Sequence, residues 1–393
     1  MEATPKPSAL GIKHGAILAG LVVAAFLVRI LAVQVAPRDF FWLYDSYRYW
    51  WNTRSLATEG GLFSSDYPVG YSMVLMPWFM VGGEPHQFVL WIHSALGAVL
   101  VAMAFAVTRA CGGRRTAWFA AAVVAFHPSL IRGGKVLMNE IPFTVLLFLG
   151  LMAVYSARRG TALLAGLLLG FAAEIRPVGV AIVLALGCWM LTRRDQRRRA
   201  AVMLCSAASV MLVMSAWITW LRGEVTIITP QFNEAEEITA DWGYWRPLSA
   251  DEILARGSYL HHAWAHPSAY LNERLMSAAT LLSPWPFLGG DPAQQWSTFL
   301  ADGVILLFAL WAVSWGLRYG LGGPVWSLCI TAAAMIAFYA ALYSDPRYRV
   351  PMIPCLVCFS CAVLTAYHGQ RGALPEIAKA PDAAARRPAA AAE

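Results

Sequence analysis

The stretch from Thr161 to Thr192 reads TALLAGLLLGFAAEIRPVGVAIVLALGCWMLT, two apolar runs joined at Ala173-Glu174-Ile175-Arg176-Pro177. Each run reads as a membrane span. Both are short for that task, so each is expected to be tilted, shortened or bent. Arg176 has almost no loop to expose it. A charge inside a membrane costs at least about 2.5–3.5 kcal/mol on translocon scales, so it needs an anionic partner. Two candidates stand open. One is Glu174, which makes a structural pair. The other is a lipid phosphate, whose geometry a guanidinium matches.

The rest of the chain agrees with a membrane reading. Hydrophobic residues make up 59% of 393 positions and charged residues 13%, against roughly 25% charged in a soluble domain. The 17 Trp and 14 Tyr suit many membrane–water interfaces. The net charge of +7 gathers most clearly in Arg193-Arg194-Asp195-Gln196-Arg197-Arg198-Arg199, between two apolar segments. That run reads as a cytoplasmic loop under the positive-inside rule, with anionic-lipid binding as a by-product. It is not a nucleic-acid signature, and no nucleic-acid partner is expected.

Further candidate spans are 15–36, 88–108, 116–131, 140–157, 200–221, 297–317, 323–344 and 350–367. The first lacks an obvious small-residue cleavage site, so it reads as a span and not as a signal peptide. The expected fold is therefore an all-α polytopic membrane protein. It has about ten transmembrane helices and two long extracytoplasmic loops, 37–87 and 222–296, containing short interfacial helices. Residues 1–14 form a cytoplasmic N-terminus, 15–367 the transmembrane domain, and 368–393 a disordered Ala/Pro-rich tail. Lys and Arg near the span ends alternate consistently with this orientation. Loops beyond about 12–15 residues usually carry function or local structure. Pro267 to Met276 reads as a helix start followed by an amphipathic stretch along the membrane surface.

All seven Cys lie in apolar segments or the short loop at Cys111, so no structural disulfide is expected. Cys355, Cys358 and Cys361 recur every third residue; helix packing explains them better than a metal or iron–sulfur site. His262 and His266 are spaced for one helical face, but Pro267 follows at once. With His261 they suit a surface or acceptor-contacting role better than a metal site.

The polar chemistry gathers on the expected outer face: Asp45, Arg48, Asp66, Arg132, Lys135, Glu140, Arg176, Asp345, Arg347 and Arg349. Four of the basic sites run against the positive-inside trend. Arg347 and Arg349 flank Tyr348, and alternate spacing puts both on one side of an extended segment. They read either as snorkelling side chains at a helix end or as a phosphate clamp. Asp45 stands alone among Trp42, Tyr44, Tyr47 and Trp50. It suits either a helix N-cap or a general base beside an attacking hydroxyl.

Four stretches resemble the GT-C superfamily of polytopic glycosyltransferases, in its protein O-mannosyltransferase-like and lipid A aminoarabinose transferase-like branch. The first is Asp45-Ser46-Tyr47-Arg48-Tyr49, leading to Leu56-Ala57-Thr58-Glu59-Gly60-Gly61-Leu62-Phe63-Ser64. The second is Asp66-Tyr67-Pro68-Val69-Gly70-Tyr71 with Leu75-Met76-Pro77. The third is Asn139-Glu140-Ile141-Pro142-Phe143, followed by Arg176-Pro177-Val178-Gly179. The fourth is Arg347-Tyr348-Arg349-Val350-Pro351 with Pro354. Together they cover about residues 15–365.

The resemblance implies an inverting glycosyltransferase of the cell inner (plasma) membrane. Its donor is a polyprenyl-phosphate-linked sugar and its acceptor a hydroxyl on a lipid, glycan or protein, with membrane lipids around it. Asp45 is then the catalytic base. Glu140, Asp66, Tyr67 and Tyr71 contact donor or acceptor, and Arg176, Arg347, Arg349 and Lys135 hold the lipid phosphate. Ser46 stands where many relatives carry a second acid, so no metal ligand is assigned; a divalent cation stays open as a cofactor. Val69 stands where many relatives have Pro or Arg, which leaves the sugar open. Two other readings compete: a transporter or flippase of an anionic polyprenyl lipid, and a non-catalytic assembly partner with the same fold. Charges collected at one face and not mid-span argue against the first. The presence of Asp45 argues against the second.

With both termini cytoplasmic, cysteines introduced at Ser64 and Ser249 are expected to react with an impermeant thiol reagent in intact cells. Labelling of either only after permeabilisation overturns the orientation.

Overall fold

The computed structural model describes residues 9–35, 45–62, 68–82, 86–156, 158, 160–222, 267–282, 292–341 and 346–377. Every regular element among them is helical. In chain order they are α1 (Ala9–Gln34), α2 (Ser46–Thr58), α3 (Val69–Gly82), α4 (His86–Cys111), α5 (Arg114–Phe126), α6 (Pro128–Gly133) and α7 (Glu140–Tyr155). Then come α8 (Thr161–Ile175), α9 (Val178–Thr192), α10 (Arg197–Arg222), α11 (Pro267–Leu282), α12 (Pro292–Tyr319), α13 (Gly323–Ala341) and α14 (Met352–Ile377). Short 3₁₀ turns cover Arg194–Gln196 and Pro346–Arg349.

Among the described residues, six helices are long and apolar enough to cross a membrane by length and composition: His14–Gln34, Phe88–Cys111, Arg194–Leu221, Trp296–Tyr319, Gly323–Ala341 and Met352–Gly369. The expected spans 140–157, 161–175 and 178–192 are shorter apolar helices of 16, 15 and 15 residues. The expected span 116–131 is not one helix. It breaks at His127, whose extended backbone precedes Pro128. Proline disfavours a helical conformation in the residue before it, which forces the break. Helix α11 starts at Pro267 as expected. Helix α14 continues to Ile377, past the expected end of the transmembrane domain at 367; residues 378–393 lie outside the described residues.

A helix broken inside a membrane leaves carbonyls without partners, which costs several kcal/mol per group in hydrocarbon. Here Arg29, buried on α1, supplies the donors. Its Nη1 lies 2.8 Å from the Ala125 carbonyl and its Nη2 lies 3.1 Å from that of Val124. The guanidinium therefore caps the C-terminal turn of α5, where the helix dipole favours a cation. The charge in the first span is in this way consumed by backbone.

Helix α7 occupies the centre of the bundle, packed on α4 and α8 and buried along most of its length. Peripheral helices instead expose large apolar residues, such as Leu212 and Val213 on α10 and Leu307 and Leu310 on α12. An apolar outer belt over a mixed core is the arrangement lipid imposes. The three thiols of α14 are buried, and Cys358 Sγ lies 3.7 Å from the Ala104 carbonyl of α4. They are packing positions.

The two ends of the bundle differ in charge. One end gathers Arg109, Arg114, Arg115, Arg158, Arg318 and the Arg193–Arg199 run, most of them exposed. There Arg199 of α10 also caps α7, donating to the Val154 carbonyl at 3.0 Å. At the other end Arg176, Arg347 and Arg349 each pair with an acid.

Close helix packing comes from small residues. Gly166 and Gly170 on α8 form a small-xxx-small face against α10. A Cβ on Gly170 would lie 2.8 Å from the Ala207 carbonyl oxygen and 2.9 Å from its Cα. Both are backbone, so nothing can give without moving a helix. Gly170→Leu is expected to destabilise the protein by about 1–3 kcal/mol or more, read as a lower thermal midpoint in detergent. An unchanged midpoint contradicts this packing.

Candidate active site

Arg176 sits at the corner between α8 and α9 in an extended conformation, with Pro177 next. The same proline effect that breaks α5 turns the chain here. Its Nη1 lies 2.6 Å from Glu140 Oε1, and the two side chains are 6% and 4% exposed. Glu140 is the first residue of α7, where a negative charge also favours the helix N-terminus. The preceding Asn139 completes the arrangement. Its Oδ1 accepts from Arg176 Nη1 at 2.9 Å, while its Nδ2 donates to Tyr49 Oη at 2.8 Å and to the Ile175 carbonyl at 2.9 Å. Arg176 Nε also donates to Tyr339 Oη at 3.1 Å. The sequence offered Glu174 or a phosphate as the partner of Arg176. The acid it pairs with is not Glu174 but Glu140.

Tyr71 is fully buried behind this group. Its ring meets Tyr49 edge-on at 4.8 Å, and its hydroxyl lies 2.8 Å from His93 Nε2. It supports the site from behind. Gly70, one residue earlier, shows why the motif needs a glycine. A Cβ there would lie 2.6 Å from the Glu174 carbonyl carbon and oxygen, at the backbone leading into Arg176. The second and third motif stretches are therefore one structure: the start of α3 seats directly on the α8–α9 corner.

Asp45 lies at the start of α2 and makes no side-chain cap hydrogen bond. Its Oδ2 lies 3.1 Å from Arg347 Nη2, with exposures of 15% for the acid and 6% for the arginine. Tyr348 lies between two guanidiniums, 4.9 Å from Arg176 and 5.2 Å from Arg347 measured to the ring centroid. It stacks on Tyr339 with centroids 4.4 Å apart. The quadrupole of an aromatic face attracts cations, so the ring allows two like charges to approach.

Residues 346–349 form a 3₁₀ turn and not an extended segment. With three residues per turn, positions two apart diverge. Arg347 faces Asp45, whereas Arg349 Nη2 lies 3.2 Å from Asp302 Oδ2. Lys135 follows α6 in a loop; burial, with Arg132 nearby, holds its ammonium below the ordinary lysine value.

Asp302 is the residue the sequence reading missed. It is an acid inside the apolar window Trp296–Tyr319, and that isolation is the signal that could have found it. Asn139 stands in the third stretch without a role assigned to it, and nothing in the local sequence of Tyr339 separates it from ordinary span residues. Of the expected site residues, Asp45, Glu140, Arg176, Arg347 and Arg349 occupy one end of the bundle, bound into acid–arginine pairs. Asp66, Tyr67, Asp345, His261, His262 and His266 lie outside the described residues. Among the described residues, no group of three or more His, Cys, Asp or Glu side chains is placed to hold a metal.

No family model matches the chain, and no curated protein matches it by sequence. Solved structures do match. ArnT from Cupriavidus metallidurans, bound to undecaprenyl phosphate, superposes with a TM-score of 0.58 at 17% identity, covering 89% of this chain and 60% of that one. The Archaeoglobus fulgidus oligosaccharyltransferase in its apo form gives 0.55 at 15% identity, covering 91% and 52%. AglB from the same organism, in complex with an inhibitory peptide and a dolichol-phosphate, gives 0.54 at 16%, covering 94% and 52%. The chain thus spans between half and three-fifths of the length of these structures. At such identities the likeness is one of fold: the chain shares the fold of these ArnT and oligosaccharyltransferase structures.

Proposed function

We propose that this GT-C fold carries an inverting glycosyltransferase, which moves a sugar from a polyprenyl-phosphate-linked donor to a hydroxyl acceptor on the extracytoplasmic face. The observation that carries this reading is the unequal exposure of three acids at one end of the bundle. Glu140 is 4% exposed and Asp302 is 2% exposed, both sealed against buried arginines. Asp45 is 15% exposed and is the acid an acceptor hydroxyl can approach. The solved neighbours hold undecaprenyl phosphate and dolichol-phosphate respectively, which supports a lipid phosphate as the donor's anchor. Basic residues crowd the opposite end, which supports an outward-facing site under the positive-inside rule.

The reaction follows from these groups. Arg176, Arg347, Arg349 and Lys135 take the donor phosphate. Arg347 is held by Asp45 at 3.1 Å, so the arriving phosphate competes for its guanidinium and leaves the carboxylate to face the acceptor. The acceptor O–H gives its proton to Asp45 while its oxygen attacks the anomeric carbon in line. The bond from that carbon to the phosphate oxygen breaks, and the electron pair stays on the phosphate. Cations fixed in a water-poor site stabilise that developing charge without reorganising. Asp66, Tyr67 and Glu140 belong to the donor or acceptor side. Tyr71 acts from behind them through Tyr49.

Asp45→Asn keeps shape but removes the proton-accepting charge. Turnover is expected to fall about 10²–10⁴-fold with the fold and donor binding retained. Glu140→Gln removes the counter-charge of buried Arg176, so it is expected to lower stability by about 3–5 kcal/mol. If Asp45→Asn turns over normally while a folded Glu140→Gln is inactive, the two roles are reversed. If both turn over normally, the mechanism is wrong.

A further inference from the structure

Asp302 lies deeper than the proposed reacting groups, and three elements meet on it. Arg349 of the 346–349 turn reaches its Oδ2 at 3.2 Å. Ser129 of α6 donates to its Oδ1 at 2.8 Å, and His127 Nε2, from the break before α6, lies 3.5 Å from the same oxygen. One turn away on α12, Thr298 accepts from Arg132 Nη1 at 3.2 Å. Positions 298 and 302 share one face of α12, and 129 and 132 share one face of α6. Two polar rungs therefore tie α6 to α12, and the second rung extends to the turn.

Both segments tied in this way carry cations assigned above to the donor phosphate. Lys135 follows α6 directly, its amide donating to the Arg132 carbonyl at 3.0 Å. Arg347 and Arg349 share the turn, which is closed by the Val350 amide on the Arg347 carbonyl at 3.0 Å. Asp302 is the group common to both.

We infer that Asp302 is a positioning residue for the donor phosphate: it sets the spacing between Lys135 and the Arg347–Arg349 turn, and so tunes affinity for polyprenyl phosphate without touching it. This rests on the glycosyltransferase reading above. An asparagine cannot reproduce the arrangement. Its single amide oxygen can accept from Ser129 or from Arg349, and its NH₂ then faces the other donor. Simple charge neutralisation of Arg349 does not require the Ser129 rung, whereas positioning does.

The test is binding of free undecaprenyl phosphate to the purified full chain in detergent. Loss of an outer partner costs about 10–100-fold in affinity at metal sites, and Asp302→Asn is expected to weaken binding on the order of tenfold here. Ser129→Ala is expected to weaken it by less, and Asp302→Glu, which keeps the charge, to stay nearer the wild type. Ser327→Ala serves as the control for general loosening. It removes a bond to Tyr155 Oη at 2.8 Å at the other end of the bundle, and should lower the thermal midpoint without moving the affinity. Wild-type affinity in Asp302→Asn overturns the inference and leaves the functional reading standing. If Asp302→Asn does not fold, unchanged affinity in Ser129→Ala overturns it. A wild-type protein that binds no undecaprenyl phosphate sinks the functional reading and this inference with it.

Discussion

A guanidinium cannot lie uncompensated in a bilayer, and the polar end of this protein is organised around that constraint. Arg176, Arg347 and Arg349 are all buried. Each is neutralised by an acid on another element: Glu140 at the start of α7, Asp45 at the start of α2, and Asp302 within α12. Removing one partner of such a pair leaves a buried charge and costs far more than the pair contributes. The pairs therefore dictate which helix ends must meet. The α8–α9 corner must lie against α7, the 346–349 turn must lie between α2 and α12, and Tyr348 must fill the space between two guanidiniums. Arg29 obeys the same rule with backbone carbonyls as its partners.

The proposed chemistry draws on the same constraint. Ion pairs packed at close quarters in a low-dielectric setting are already oriented when a ligand arrives, so in the proposed reaction an anionic headgroup would meet preformed donors. An anion entering such a site repartitions the existing pairs. Asp45, the most exposed of the three acids, is the one such repartitioning can release. In that proposal, positioning also extends beyond the groups that touch substrate. The Asn139 amide fixes Arg176 from one side and Tyr49 from the other, and Asp302 joins two cationic segments that lie far apart in sequence.

Much of this was legible in the sequence. The burial cost of Arg176 marked the site, and the charge asymmetry of the two bundle ends was readable from the Arg193–Arg199 run and its relatives. What escaped depended on contacts between distant residues. Glu174 was the near candidate for Arg176, but the partner is 36 residues away in the chain. Alternation suggested that Arg347 and Arg349 act together, whereas a 3₁₀ turn separates them. The apolar run 116–131 hides the break at His127-Pro128. Asp302 is hidden because a single acid does not interrupt a hydrophobic window. Asp66 and Tyr67 lie outside the described residues, so their part in the site stays a proposal.

The central claim is that this end of the bundle splits the bond between a sugar and a lipid phosphate. The most direct measurement incubates the purified chain with a panel of radiolabelled polyprenyl-phosphate sugars and follows the release of polyprenyl phosphate. The account predicts release from at least one donor, dependent on a hydroxyl acceptor and with inverted configuration in the product. No release from any donor, together with movement of the intact donor between the leaflets of a proteoliposome, would contradict it and mark the chain as a lipid transporter.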